Sequence, residues 1–221
     1  SLGLLLNQPI QRVIVTGPLQ RVSALDVEKV VRGRLAGVGL VTVNLADIDT
    51  AVRSLPWVEN AAVQRSWPRA LRVELVEQTA VARWNGAGLV NARGELFMSE
   101  ARFVPPELPQ LSGPTGTEAE VTARFLAASG QLTESGLRLV TLALDARGAF
   151  EFTLDDGVVV RLGRAQVDER FERFVRAAAR LVSQRAADIA YVDMRYGNGF
   201  AVGWKGGATH LAPAPGVRSD G

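Results

Sequence analysis

Residues 55–77, LPWVENAAVQRSWPRALRVELVE, constrain the fold more than any other stretch of the chain. Apolar and polar positions alternate on both sides of Pro68-Arg69, which predicts two antiparallel strands joined by a tight turn. Ala61, Val63 and Arg65 share one face of the first strand; Ala62, Gln64 and Ser66 share the other. Leu71, Val73 and Leu75 line one face of the second, opposite Arg72 and Glu74. An isolated two-stranded ribbon is marginal in water, so its apolar face must be covered. The residues before it supply the cover. Residues 10–16, IQRVIVT, read as a β-branched strand that Gly17-Pro18 ends. Ser23 offers a helix N-cap with Asp26 three positions on, and Leu25, Val27, Val30, Val31 and Leu35 fall mostly on one side of that helix. Asn44 caps a second helix striped by Ile48, Ala51, Val52 and Leu55, and Pro56 stops it. The order β-α-α-β-β over residues 9–77 predicts a small α+β domain with both helices on one face of a three-stranded sheet.

From residue 78 the texture changes to short strands and turns. Residues 80–84 and 88–92 predict strands around a Gly86 turn, and residues 104–116, VPPELPQLSGPTG, predict a loop. Thr117 with Glu120 forms a capping box that opens a helix holding Val121, Phe125 and Leu126. Residues 137–144, 150–154 and 158–162 read as strands separated by the turns DARG and DDG. Phe171, Phe174, Val175, Ala178, Leu181 and Val182 keep helical spacing. Residues 189–196 and 200–205 form a last hairpin around Gly197-Asn198-Gly199, a strong hairpin signal. The expected second domain, residues 78–205, is a mainly antiparallel β-sheet with flanking helices. Residues 206–221 are rich in Gly, Ala and Pro and read as a flexible C-terminal tail.

Chemistry is sparse. The chain has no cysteine, so disulfides and thiolate metal sites are ruled out. Its single histidine, His210, falls in the tail, where a Ser-His-Asp relay has no support. No GxGxxG, P-loop or HExxH pattern occurs. Asp155-Asp156 read as a solvated turn, Asp188 and Asp193 as strand ends, and Arg170, Arg173, Arg176 and Arg180 as a solvated helix face balanced by Glu169 and Glu172. The net charge is only +2, with bases scattered among acids, which argues against nucleic acid. No stretch reaches the roughly 20 apolar residues that span a bilayer. Residues 1–8 begin SLGLLL, which reads either as the end of a membrane helix or as a frayed apolar end.

The last hairpin stands out. Phe200, Val202 and Trp204 point one way; Ala201 and Gly203 point the other. With no later strand expected, residues 200–205 form either a sheet edge with open backbone groups or an ordinary interior strand. An edge with a small-residue face, including Gly203, lets another backbone approach and add a strand.

These segments carry a resemblance. LPWV, the SWP turn, LVE and ARWN fall in the order and spacing of the FtsQ/DivIB family of bacterial cell-division proteins. LGRAQVDERFERFVRAAARLV resembles that family's long helix, and YVDMRYGNGFAVGW its terminal strand pair. The likeness runs from Pro9 to Trp204. It implies a POTRA domain over residues 9–77 followed by a β domain, both periplasmic, behind a single inner-membrane anchor, with residues 1–8 as juxtamembrane stub. It implies no enzyme activity and no cofactor. The implied role is a scaffold at the division septum that holds FtsB and FtsL and links early division proteins to septal peptidoglycan synthesis, with other division proteins meeting the POTRA domain. In the family FtsB adds a strand to the terminal strand. The matching positions here are Tyr196, Asn198, Gly199, Phe200, Ala201, Val202, Gly203 and Trp204, with Arg195 and Arg147 matching two arginines that face acidic partner residues. Asn198 stands where relatives carry serine. Two other classes compete: a POTRA-bearing module of outer-membrane assembly or secretion, and an enzyme acting on cell-wall glycan through paired carboxylates.

Overall fold

The computed structural model describes residues 7–207 and, for residues 209–213, the backbone. The chain divides into two units between Thr79 and Ala80.

The first unit runs β1 (Arg12–Thr16), α1 (Ala24–Arg32), α2 (Leu45–Arg53), β2 (Val58–Ser66) and β3 (Ala70–Glu77). The three strands form one sheet in the order β1-β3-β2, with β1 parallel and β2 antiparallel to β3. A parallel β1–β3 pair needs a crossover, and the helix pair provides it. The most apolar strand, β3, takes the central place and buries Leu71, Val73 and Leu75. Val27, Val31, Ile48 and Val52 of the helices close over them. Both predicted caps form. Ser23 Oγ accepts from the Leu25 N–H at 3.2 Å, and Asn44 Oδ1 accepts from the N–H groups of Ala46 and Asp47. Leu25, counted in the apolar stripe, is exposed, whereas Val27 and Val31 of the same helix are buried.

The second unit carries a ten-stranded sheet. Its strands are β4 (Ala82–Trp84), β5 (Gly88–Val90), β6 (Leu96–Met98), β7 (Gln110–Ser112), β8 (Leu139–Leu144), β9 (Phe150–Leu154), β10 (Val159–Gly163), β11 (Ile189–Asp193), β12 (Gly199–Trp204) and β13 (Thr209–Pro213). Helix α3 (Glu118–Glu134) links β7 to β8. Between β10 and β11 lie α4 (Val167–Arg173), a π-helical turn (Phe174–Ala178), α5 (Ala179–Arg185) and a 3-10 turn (Ala186–Asp188). The strand order is β13-β12-β11-β10-β9-β8-β7-β4-β5-β6. Six of the nine neighbouring pairs are antiparallel, and β4–β7, β7–β8 and β10–β11 are parallel. Phe152 anchors the core, edge-on to Phe171 and Phe174 at 6.0 and 5.4 Å between ring centroids.

Three expectations need correction. Gln110–Ser112, inside the predicted loop, is the strand β7, wedged between β4 and β8. A three-residue strand between Pro109 and Gly113 is too short to show a period. Thr117 stands at the start of α3, but its side chain makes no cap bond; its hydroxyl instead donates to the Pro114 carbonyl at 2.7 Å. The tail expected from residue 206 turns back at once. Gly206 and Gly207, with φ of 121° and 100°, reverse the chain, and Thr209–Pro213 pairs antiparallel with β12. An uncovered strand edge holds unpaired backbone donors and acceptors, and the nearest chain satisfies them whatever its side chains. Residues 1–6, most of the stub, and 214–221, the rest of the tail, lie outside the described residues.

Candidate partner-docking site

The strand singled out by the sequence is β12, and its side chains alternate as expected. Phe200 and Val202 are buried in the core, and Trp204 packs against it with the Arg185 guanidinium 4.5 Å above its ring. These side chains fix the strand to its own sheet and leave little to offer a partner. The Trp204 indole N–H is buried and finds no acceptor among the described residues. Gly203 corrects a further expectation. A Cβ there would lie 2.1 Å from Cε1 of Tyr191 on β11. The missing side chain makes room for that ring, not for an incoming backbone. The edge itself is also not bare, because β13 pairs along its length, from Gly203 opposite Thr209 to Gly199 opposite Pro213. His210 sits opposite Val202 in that ladder.

The β11–β12 connection is pinned by charge. Arg195 grips Asp193 with Nε on Oδ1 at 2.8 Å and Nη2 on Oδ2 at 2.6 Å, and its N–H also donates to Oδ1. Burial pushes the Asp193 carboxyl up, but the Arg195 donors outweigh it and hold it below the usual carboxylate range. The same hydrogen bonds raise Arg195. Arg195, expected to face a partner's acid, is therefore already paired, although its side chain stays 57% exposed. Two arginines missed in the sequence do the positioning. Arg170 donates to the carbonyls of Leu162 and Arg195 at 2.7 and 3.0 Å, and Arg173 to that of Tyr196 at 2.8 Å. The sequence reads them as a solvated face, because their spacing alone does not show which carbonyls lie within reach. The loop so held presents Tyr196, 47% exposed, together with exposed Gly197 and Asn198.

On the sheet face away from the helices, Glu151, Arg161 and Tyr191 run across β9, β10 and β11. Arg161 Nε donates to Glu151 at 3.2 Å, and its guanidinium stacks 4.5 Å from the Tyr191 ring. This face borders a cleft of about 330 Å³ lined by Asp145, Glu151, Arg161, Gly163 and Arg195. Arg147 is exposed in the turn whose neighbours Asp145 and Ala149 line that cleft. The N–H groups of Ala149 and Arg147 hold the Asp145 carboxyl below its usual range against the opposing effect of desolvation. The turn that carries Arg147 thus shares a cleft with Arg195, while β10 and β11 separate that turn from β12.

In the first unit, Glu77 of the LVE run closes the loop before α1, with one oxygen accepting from the N–H groups of Gln20, Arg21 and Val22 at 2.6 to 2.9 Å. Trp57 of LPWV is partly buried beneath the Arg21 guanidinium, 5.0 Å from the ring. Trp84 is core. Trp67 is more than half exposed at the hairpin tip. Among the described residues no three His, Asp or Glu side chains gather to hold a metal, and no helix is long and apolar enough to cross a membrane.

Both units match known families. Residues 8–78 match the POTRA domain, FtsQ-type, and residues 82–195 match cell division protein FtsQ/DivIB, C-terminal. Proteins named cell division protein FtsQ are similar along most of the chain. That of Coxiella burnetii is 33% identical over 197 residues, covering 89% of this chain and 81% of its own. That of Xanthomonas campestris is 36% identical, with 88% and 69% covered. That of Escherichia coli is 32% identical over 206 residues, with 89% and 73% covered.

Proposed function

The chain belongs to the FtsQ/DivIB family of cell-division proteins, and from that premise we propose that it is a non-enzymatic scaffold of the division machinery. In this reading the region described is periplasmic, anchored in the inner membrane and stationed at the septum. It binds FtsB and FtsL at the terminal end of the ten-stranded sheet and links early division proteins to septal peptidoglycan synthesis. Further division proteins meet the POTRA domain.

The observation that carries the site is the construction of β12. It is fixed from one side by β11 and from below by Phe200 and Val202, while its outer side is engaged through backbone pairing. Such a strand accepts a partner strand without disturbing its core. Exposed Tyr196, Asn198 and Arg147, with the outward part of Arg195, stand where a partner's side chains would meet this chain. Trp204 supports β12 from within.

Calorimetric titration with the periplasmic part of FtsB from the same organism tests the reading. Wild type binds; Tyr196→Ala and Arg147→Glu weaken binding, Tyr196→Ala by about tenfold or more if it is a hot spot. Both positions are exposed, so thermal stability stays unchanged. Equal binding by all three chains moves the site elsewhere. No binding by wild type, with FtsL also present, sinks the scaffold reading.

A further inference from the structure

β13 occupies the outer edge of β12 on which the proposed docking depends. Resting on that reading, we infer that Thr209–Pro213 is a built-in, replaceable occupant of the docking edge, and that an extended segment of the partner binds by taking its place.

Four features of the backbone and sequence favour replacement over permanent closure. First, β12 does not need β13 to stay in position. Phe200 and Val202 hold it in the core, and β11 pairs with it on the inner side from Ile189 opposite Trp204 to Asp193 opposite Ala201. Second, β13 joins through Gly206-Gly207, both at positive φ. Glycines lose the most freedom when ordered, so release of the strand regains the most. Third, the strand is five residues long and ends in Pro213, which has no N–H for the ladder. Fourth, exchange of one strand for another conserves the backbone hydrogen bonds of β12. The balance is then set by the tether of β13 and the side chains of the newcomer. A short tether gives β13 an effective concentration on the order of millimolar. The apparent affinity of any partner strand falls by the fraction of chains in which the edge is open.

The test uses the full chain, a chain ending at Lys205, and a synthetic peptide of this protein's own residues 207–215. The peptide binds the shortened chain and not the full one. The partner's periplasmic domain binds the shortened chain at least about tenfold more tightly than the full chain. A folded shortened chain, judged by its circular dichroism and melting transition, that ignores the peptide overturns the inference. So does a shortened chain that has lost partner binding, because the partner then pairs with β13 itself.

A second variant covers the case in which the shortened chain does not fold. Ala201 and Leu211 are directly opposed in the ladder, and the protein has no cysteine of its own. Opposed antiparallel residues lie about 4.5–5.5 Å apart at Cα, within disulfide range. Ala201→Cys with Leu211→Cys therefore locks β13 in place when oxidised. Partner binding disappears in the oxidised chain and returns on reduction. Equal binding in both states overturns the inference. If no form binds the partner while the peptide still binds the shortened chain, the scaffold reading has failed and the self-occupied edge stands.

Discussion

β2 pairs with β3 alone and carries a row of outward backbone groups, whereas β12 pairs with β11 on one side and offers its other row to β13. The chain closes the two rows differently. On β2 a bulge falls between Val58 and Asn60, and side chains take over the exposed groups beside it. Asn60 Oδ1 accepts from the Ala61 N–H at 2.9 Å, and Arg53 of α2 donates to the Ala61 carbonyl at 3.1 Å. On β12 the outward groups meet a further strand. A bulge and two side chains blunt an edge, because no incoming strand reproduces their geometry. A strand closes an edge with the same groups that any other strand carries. One edge is thus blunted at Ala61 by side chains, and the other is closed by backbone pairing alone.

The largest test of this contrast bears on how β12 is held. Gly203→Val places a Cβ against the Tyr191 ring with no room to spare, and the ring cannot withdraw without uncovering Arg161. The expected loss is about 3 kcal/mol in urea unfolding of the second unit. Tyr191→Ala in the same chain recovers part of it. A Gly203→Val chain as stable as wild type means that β12 is not fixed by β11 in the way described, and the idea of a template independent of β13 loses its base.

A smaller effect tests the β2 edge. Arg53→Ala with Asn60→Ala removes both side-chain partners of Ala61. Stability falls by about 1 kcal/mol, the worth of an ordinary hydrogen-bond contribution. The sharper readout is association. Sedimentation velocity detects concentration-dependent dimers in the double variant and none in wild type, because the β2 edge then offers open backbone groups. A monomeric double variant means that the bulge alone is enough.

The same contrast explains what the sequence could reveal. The first unit was readable because its signals are local. Ser23 and Asn44 cap helices, alternation marks the hairpin, and Leu71, Val73 and Leu75 name the core strand. The second unit was readable where side chains enter the core, as at Phe171, Phe174, Phe200 and Val202. It was not readable where backbone pairing decides. Gln110–Ser112 and Thr209–Pro213 join the sheet because a neighbour offers hydrogen bonds, and backbone hydrogen bonding leaves no pattern in side chains. The proposed docking region shows the same limit. The sequence marks Arg195 and Gly203, but the structure shows Arg195 bound to Asp193 and Gly203 filled by Tyr191. Arg170 and Arg173, which hold the loop, carry the same letters as a solvated helix face. Their role depends on which carbonyls the fold brings within reach.

The smallest expected effect separates the two units by pH. Glu77 closes the loop before α1 and Asp193 holds Arg195. Burial pushes each carboxyl up, but hydrogen bonds win in both: from Val22, Arg21 and Gln20 for Glu77, and from Arg195 for Asp193. Both folded-state values therefore lie below the unfolded ones. The stability these groups supply is fully present above the ordinary carboxylate range, near pH 4, and is lost as pH falls through the depressed folded values. Glu77→Gln keeps the shape and removes the titration. It costs about 1 kcal/mol at neutral pH, since a charged acceptor of three N–H groups becomes a neutral one. The cost shrinks as pH falls, because the wild-type carboxylate is protonated as well. Melting curves followed by amide exchange at Gln20, Arg21 and Val22 show the acid dependence of the first unit flattening in the variant. Exchange at Arg195 keeps its wild-type acid dependence. Parallel flattening at both places would mean that the two carboxylates report one shared transition, and that the two units do not unfold independently.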